Sequence, residues 1–155
     1  MARALIVPCG CRGRALAREL RAAGHAVRGT TRDPAHTAAI AAVGAEPYVG
    51  DPDRIGTLMD ALHGVTVVCW LMGTLPVPEL HAGRLRMLFE KVVDTPVRGV
   101  LYEPTHPALP EGEELARACA QTWQIPLEIL RADPRDHAAW LPAAVAGVDR
   151  LLGYT

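Results

Sequence analysis

The sequence lacks any apolar run long enough to cross a bilayer: Arg, Asp or Glu breaks every long hydrophobic stretch before the about 18 residues a spanning helix needs. The opening MARALIVPCGCRGR holds too short an apolar core for a secretory leader and no small-residue cleavage site, so the cytoplasm is the expected location and no membrane partner is expected. Lysine is nearly missing: Lys91 is the single Lys among 16 cations, a bias that carries no functional weight. Four cysteines (Cys9, Cys11, Cys69, Cys119) in 155 residues do not make a disulfide framework and agree with a reducing compartment. No second Cys or His cluster accompanies Cys9 and Cys11 at ligand spacing, so no metal site is expected.

What is present is an ordinary globular composition, 50% hydrophobic and 21% charged, enough for one domain over residues 1–155. The net charge of -1 hides an asymmetry. Residues 1–32 carry seven Arg (3, 12, 14, 18, 21, 28, 32) and only Glu19, for +6, against -7 in the remainder. These arginines are not interleaved with aromatics and no groove-reading motif is present, so a small phosphorylated ligand is expected and nucleic acid is not.

Short apolar runs alternate with helical periodicity along the whole chain. Strands are expected at Ala4 to Val7, Ala26 to Gly29, Glu46 to Val49, Val65 to Leu71, Gly99 to Tyr102 and Leu127 to Leu130. Between them, Leu16, Leu20 and Ala23 share one helical face, as do Leu85, Leu88 and Val92, and then Leu141, Val145, Val148 and Leu152. Six such units with right-handed crossovers predict a three-layer, doubly wound parallel α/β sheet in the order 3-2-1-4-5-6. Asp33-Pro34, Asp51-Pro52 and Asp133-Pro134 read as an N-cap acid followed by proline at the first helical position; Gly24, Gly44 and Gly64 read as helix C-caps.

The first strand ends in Pro8-Cys9-Gly10-Cys11-Arg12-Gly13, a G-x-G-x-x-G pattern with proline in its first position. In a dinucleotide site the second glycine lets backbone approach a pyrophosphate and the third lets helix pack on strand. The N–H groups of Cys11 and Arg12 are expected to face the phosphates. Proline fixes φ and removes a donor, which is expected to reshape the turn. After the second strand stand Thr31, where an NAD site places a ribose-binding carboxylate, and then Arg32. Arg32 and Arg12 are expected to clamp a 2′-phosphate, which favours NADP(H) over NAD(H).

From Ala4 to about Asp133 the chain resembles the atypical short-chain dehydrogenase/reductase superfamily, which includes the NAD-dependent epimerases and dehydratases. The stretches that carry the likeness are ALIVPCGCRGRALARELRAAGHAVRGTTRDP, VGDPDRIGTLMDALHGVTVVCWLMG, RGVLYEP and IPLEILRADP. The resemblance implies a Rossmann domain in which Asp51 contacts adenine and Leu71, Met72 and Gly73 pass the ribose. It does not extend to chemistry. The Tyr-x-x-x-Lys pair of ketone reductases is absent, since four residues after Tyr48 and Tyr102 stand Pro52 and His106. The substrate-binding segment of the larger members is not found either. Ketone reduction and sugar epimerisation are therefore not expected.

Two functional classes stay open. One is NADPH-dependent reduction of an acceptor needing no Tyr-Lys acid, such as a flavin, quinone or linear tetrapyrrole, with water or His106 giving the proton. The other is a non-catalytic dinucleotide sensor or regulator. Trp70 reads first as core packing, with stacking on a flat substrate as the alternative. Surface placement is the default for His25, His36 and His63, and a homodimer through the Trp140 and Leu141 face of the last helix is a further expectation.

Overall fold

Helices flank both faces of one parallel six-stranded sheet ordered β3-β2-β1-β4-β5-β6, the order that the alternation in the sequence implies. The computed structural model describes residues 2–104 and 110–153. The strands are β1 (Arg3–Val7), β2 (Ala26–Thr31), β3 (Glu46–Val49), β4 (Val67–Leu71), β5 (Gly99–Glu103) and β6 (Leu127–Ile129). The helices are α1 (Cys11–Ala22), α2 (Thr37–Ala42), α3 (Gly83–Val92), α4 (Pro110–Trp123) and α5 (His137–Leu151).

The central strands β1, β4 and β5 read as continuous apolar runs because both of their faces are covered. Alternate residues enter two cores. Ala4, Ile6, Cys69 and Leu71 pack with α1, α2 and α5 on one face, and Leu5, Val7, Val68 and Trp70 pack with α3 and α4 on the other. Trp70 is wholly buried and its indole N–H donates to Leu80 O, so it is core.

Three local expectations are corrected. The β3–β4 crossover contains no α-helix; two 3₁₀ segments, Ile55–Leu58 and Asp60–Leu62, cover the sheet there. The two segments meet at Met59, and these short pieces suffice to bury Ile55, Leu58, Ala61 and Leu62. The Asp-Pro pairs divide accordingly. All three aspartates accept from the N–H two residues on, but only Asp33 leads directly into a helical turn, the 3₁₀ segment Pro34–His36, while Asp51 and Asp133 form turns. The cap of α5 is Asp136, which accepts from Ala139 N–H. The stripe of α5 that is most deeply buried is Trp140, Ala144, Gly147, Val148 and Leu151; of the expected face, Val148 and Leu152 are buried while Leu141 and Val145 are only partly so. Large apolar residues on both flanks make two stripes plausible by periodicity; the inward one carries Gly147, where an added Cβ would collide with Leu101.

Gly24, Gly44 and Gly64 do adopt positive φ at the ends of their helices. Of the three histidines expected at the surface, His36 and His63 are exposed, and His25 is buried where the α1–β2 turn closes with its N–H on Leu20 O. No helix among the described residues is long and apolar enough to cross a membrane.

Candidate functional site at the carboxyl edge of the sheet

The chain leaves β1 toward β2 on one side and returns to β4 on the other, so the carboxyl ends of β1 and β4 border the crevice where open α/β sheets take their ligands. The β1–α1 loop lies there. Gly10 is the N-cap of α1, and Arg14 N–H is the first to bond back, to Gly10 O. The N–H groups of Cys11, Arg12 and Gly13 therefore have no partner within the helix, the general arrangement for holding an anion.

The two glycines of the loop have opposite surroundings. A Cβ on Gly10 would meet nothing within 4 Å, leaving the backbone open to a ligand. A Cβ on Gly13 would stand 3.0 Å from both Ile6 Cγ2 and Pro8 O, so helix and strand touch at that point. Pro8 follows a cis peptide bond and is half-buried. Cys9 N–H donates to Thr30 O, and its sulfur fills the space over Gly29. Burial pushes the Cys9 thiol up to about 12, and the Cys69 thiol likewise, so both are packing groups rather than nucleophiles at neutral pH. Cys11 is exposed.

At the end of β2, Thr31 is buried and spends its hydroxyl on the turn, donating to Asp33 O and accepting from Asp33 N–H. Arg32 is exposed and makes no ion pair among the described residues. Asp51 is half-buried, its N–H held by Thr57 Oγ1. These three residues and Gly10 border the same edge.

Arg12 does not join Arg32. Its guanidinium turns the other way, across β4 to β5, and donates to Glu103 Oε2 at 2.6 Å. The expected two-arginine clamp is therefore not formed, because a buried carboxylate holds one of its members. Glu103 is only 1% exposed and gathers three donors: Arg12, the Trp140 indole N–H at 2.6 Å on the same oxygen, and Gly73 N–H at 2.8 Å on Oε1. The Arg12 guanidinium carbon also lies 4.8 Å from the centroid of the Trp140 ring, a cation–π distance. The side chain of Glu103 packs so closely on Gly73 that a Cβ there would collide with it. Leu71, Met72 and Gly73 are accordingly buried, with the carboxylate lying against the segment expected to pass a ribose. Trp140 is wholly buried and offers no surface for a dimer.

Behind this cluster, His81 Nε2 lies 2.9 Å from Leu75 O and His81 Nδ1 lies 2.5 Å from the Tyr102 hydroxyl. A carbonyl only accepts, so Nε2 carries the proton and Nδ1 accepts from Tyr102. Burial lowers the His81 pKa, against the opposing pull of the Leu75 and Met72 backbone contacts and the Glu103 charge; burial raises that of Tyr102. The pair ties the loop after β4 to β5. Beyond β6, Arg131 and Arg117 both pair with Glu113 on α4.

Sequence reasoning missed Glu103, Trp140, His81 and Tyr102 as a connected group. The available signal was an acid closing an otherwise apolar strand, GVLYE, at the ligand edge of the sheet. His106 lies outside the described residues. A cleft of about 590 Å³ opens at the opposite, amino-terminal edge, bordered by Arg28, Tyr48, His63 and Asp94. Arg28 there is occupied by Glu46 and the carbonyls of Ala61 and His63.

No family model and no curated protein matches the sequence. Solved structures do match the fold. A triphenylmethane reductase from Citrobacter sp., solved with NADP(H), superposes with a TM-score of 0.68 at 19% identity, over 84% of this chain and 49% of that one. A protein from Bacillus halodurans described as an NAD-dependent epimerase/dehydratase gives 0.71 at 15% identity, over 84% and 70%. An NADPH-dependent quinone oxidoreductase from Escherichia coli gives 0.61 at 19%, over 84% and 46%. The chain thus spans about half the length of both reductases. Those likenesses establish a shared fold, the doubly wound parallel sheet common to these three structures.

Proposed function

We propose that the protein binds NADP(H) at the carboxyl edge of its sheet, with the pyrophosphate on the first turn of α1 and the 2′-phosphate at Arg32. The observation that carries this reading is the pair of glycines: Gly10 leaves the helix N-terminus open, and Gly13 seats the helix on the strand. Cys11, Arg12 and Gly13 supply backbone donors to the pyrophosphate, and Asp51 borders the adenosine half. An exposed, unpaired arginine after β2 suits a phosphate on the ribose better than a free hydroxyl.

When bound, the reduced nicotinamide supplies a hydride. The acceptor class we favour is a flat conjugated molecule, a flavin, quinone or linear tetrapyrrole, that delocalises the added electron pair and takes its proton from water or His106. No Tyr-x-x-x-Lys acid is then required, and holding two rings in contact supplies the main catalytic effect. A second reading, a non-catalytic dinucleotide sensor, draws support from Arg12, Glu103 and Trp140, which spend their polar groups on one another. Homodimerisation stays a proposal and would need a surface other than Trp140.

The test is titration of the purified protein with NADPH and with NADH, followed by nicotinamide fluorescence. NADPH should bind more tightly, and Arg32→Ala should weaken NADPH about tenfold while changing NADH less than about twofold. Equal weakening of both removes the 2′-phosphate assignment, and binding of neither removes the dinucleotide. Oxidation of bound NADPH by an added flavin or quinone separates the reductase from the sensor.

A further inference from the structure

Arg12 bears on the ligand edge twice. Its backbone N–H belongs to the first turn of α1, where unpaired N–H groups and the helix dipole favour an anion. Its guanidinium points away from that turn, onto Glu103 and over Trp140. The side chain is long and jointed, and it is 17% exposed, on the open side of the pair, whereas Glu103 is buried and cannot follow it. Glu103 also does not depend on Arg12 alone. If the guanidinium left, Gly73 N–H would still donate to Oε1 and the Trp140 indole to Oε2, so each carboxylate oxygen would keep a partner. The pyrophosphate docked on the first turn spreads its charge over two phosphates, more in total than one carboxylate, and accepts from arginine in two-pronged fashion.

We propose that Glu103 and the ligand's pyrophosphate compete for the Arg12 guanidinium: in the free protein the carboxylate holds it, and binding transfers it to the phosphate. The proposal rests on the dinucleotide reading above and adds its regulation. Glu103 then lowers the affinity for the dinucleotide by the strength of the pair that must break. The same transfer bares the face of the Trp140 ring that the guanidinium covers, so the β4–β5 edge changes shape only once the dinucleotide is in place.

The experiment uses ¹⁵N-labelled protein titrated with NADPH, following the Trp140 indole N–H, which is identified by its loss in Trp140→Phe. Saturation should move this resonance in the wild type, and in Arg12→Ala it should respond little to NADPH. Glu103→Gln, checked for folding by circular dichroism, should bind NADPH about tenfold more tightly than the wild type, and Arg12→Ala more weakly. If the wild type binds NADPH and the Trp140 resonance stays still, or if folded Glu103→Gln binds no better than wild type, the competition is refuted and the dinucleotide reading stands. If neither wild type nor Glu103→Gln binds NADPH, the dinucleotide reading falls and the competition with it. Should Glu103→Gln not fold, the wild-type resonance alone decides.

Discussion

Removing the Glu103 carboxylate should cost far more stability than removing the arginine that neutralises it. In Glu103→Ala, Gly73 N–H and the Trp140 indole N–H lose their acceptor inside the protein, where an orphaned donor costs about 1–3 kcal/mol each. The truncated side chain leaves a void against Gly73 in addition. The freed Arg12 guanidinium, at the open side of the pair, turns to water at little cost. The two donors alone come to about 2–6 kcal/mol and the void adds to that, which for a domain of this size lowers Tm by at least roughly 4–24 °C. Arg12→Ala admits water to a carboxylate that keeps two donors and should cost about 1–2 kcal/mol. Once Glu103 is gone Arg12 keeps only its contact with the Trp140 ring, so the double variant should lose no more than about 1 kcal/mol beyond Glu103→Ala alone. Urea unfolding of the wild type, both single variants and the double variant closes the cycle. A double variant whose loss equals the sum of the two singles, or a Glu103→Ala loss below about 1 kcal/mol, would show that the pair contributes nothing as a unit.

The two loop glycines should separate binding from folding. Gly10→Ala meets no atom, so Tm should stay within about 2 °C of wild type while a methyl over the pyrophosphate weakens NADPH at least tenfold, roughly. Gly13→Ala gains about 0.5–1 kcal/mol in helix propensity but forces α1 off Ile6 and Pro8 against an overpacking cost of about 1–3 kcal/mol, so thermal unfolding should show a net loss. Acid should weaken the fold through His81. Its folded pKa is lowered, so the unfolded chain binds the proton more readily, and stability should fall as pH drops below about 6.5 and level off below the folded value. Among the described residues, Tyr102 and Glu103 face it. His81→Asn should flatten Tm between pH 7 and that lower limit, at a cost in stability at neutral pH; an unchanged slope would assign the effect elsewhere. Glu113 acts in a separate step. Arg131, and then Arg117, hold its carboxyl below the usual range, so its contribution is present at neutral pH and lost as pH falls through that depressed value; Arg131→Gln should move the loss to higher pH in an acid-unfolding curve.

The order of the sheet was legible in the sequence because hydrophobic period and turn chemistry are local: short buried runs, helical stripes and glycine caps repeat, and right-handed crossovers leave few topologies. The glycine-shaped loop between β1 and α1 was legible for the same reason, since Gly10 and Gly13 act on their own backbone. The course of the β3–β4 crossover was less so, because Asp51-Pro52 serves a turn as well as it serves a helix cap.

What the sequence could not state was the direction of Arg12. Loop position suggested a phosphate ligand; in the fold the guanidinium meets Glu103, 91 residues away in the chain. That pairing exists only because β1, β4 and β5 lie side by side, with α5 laid back across them to present Trp140. The same holds for His81 and Tyr102, which meet through the loop after β4. The sequence by itself determined the elements, their order and the glycine-lined edge, since each depends on neighbours within a few residues. Which charges meet at that edge was decided by the tertiary structure alone, because a buried ion pair is set by where distant strands end and by which face of a helix turns inward.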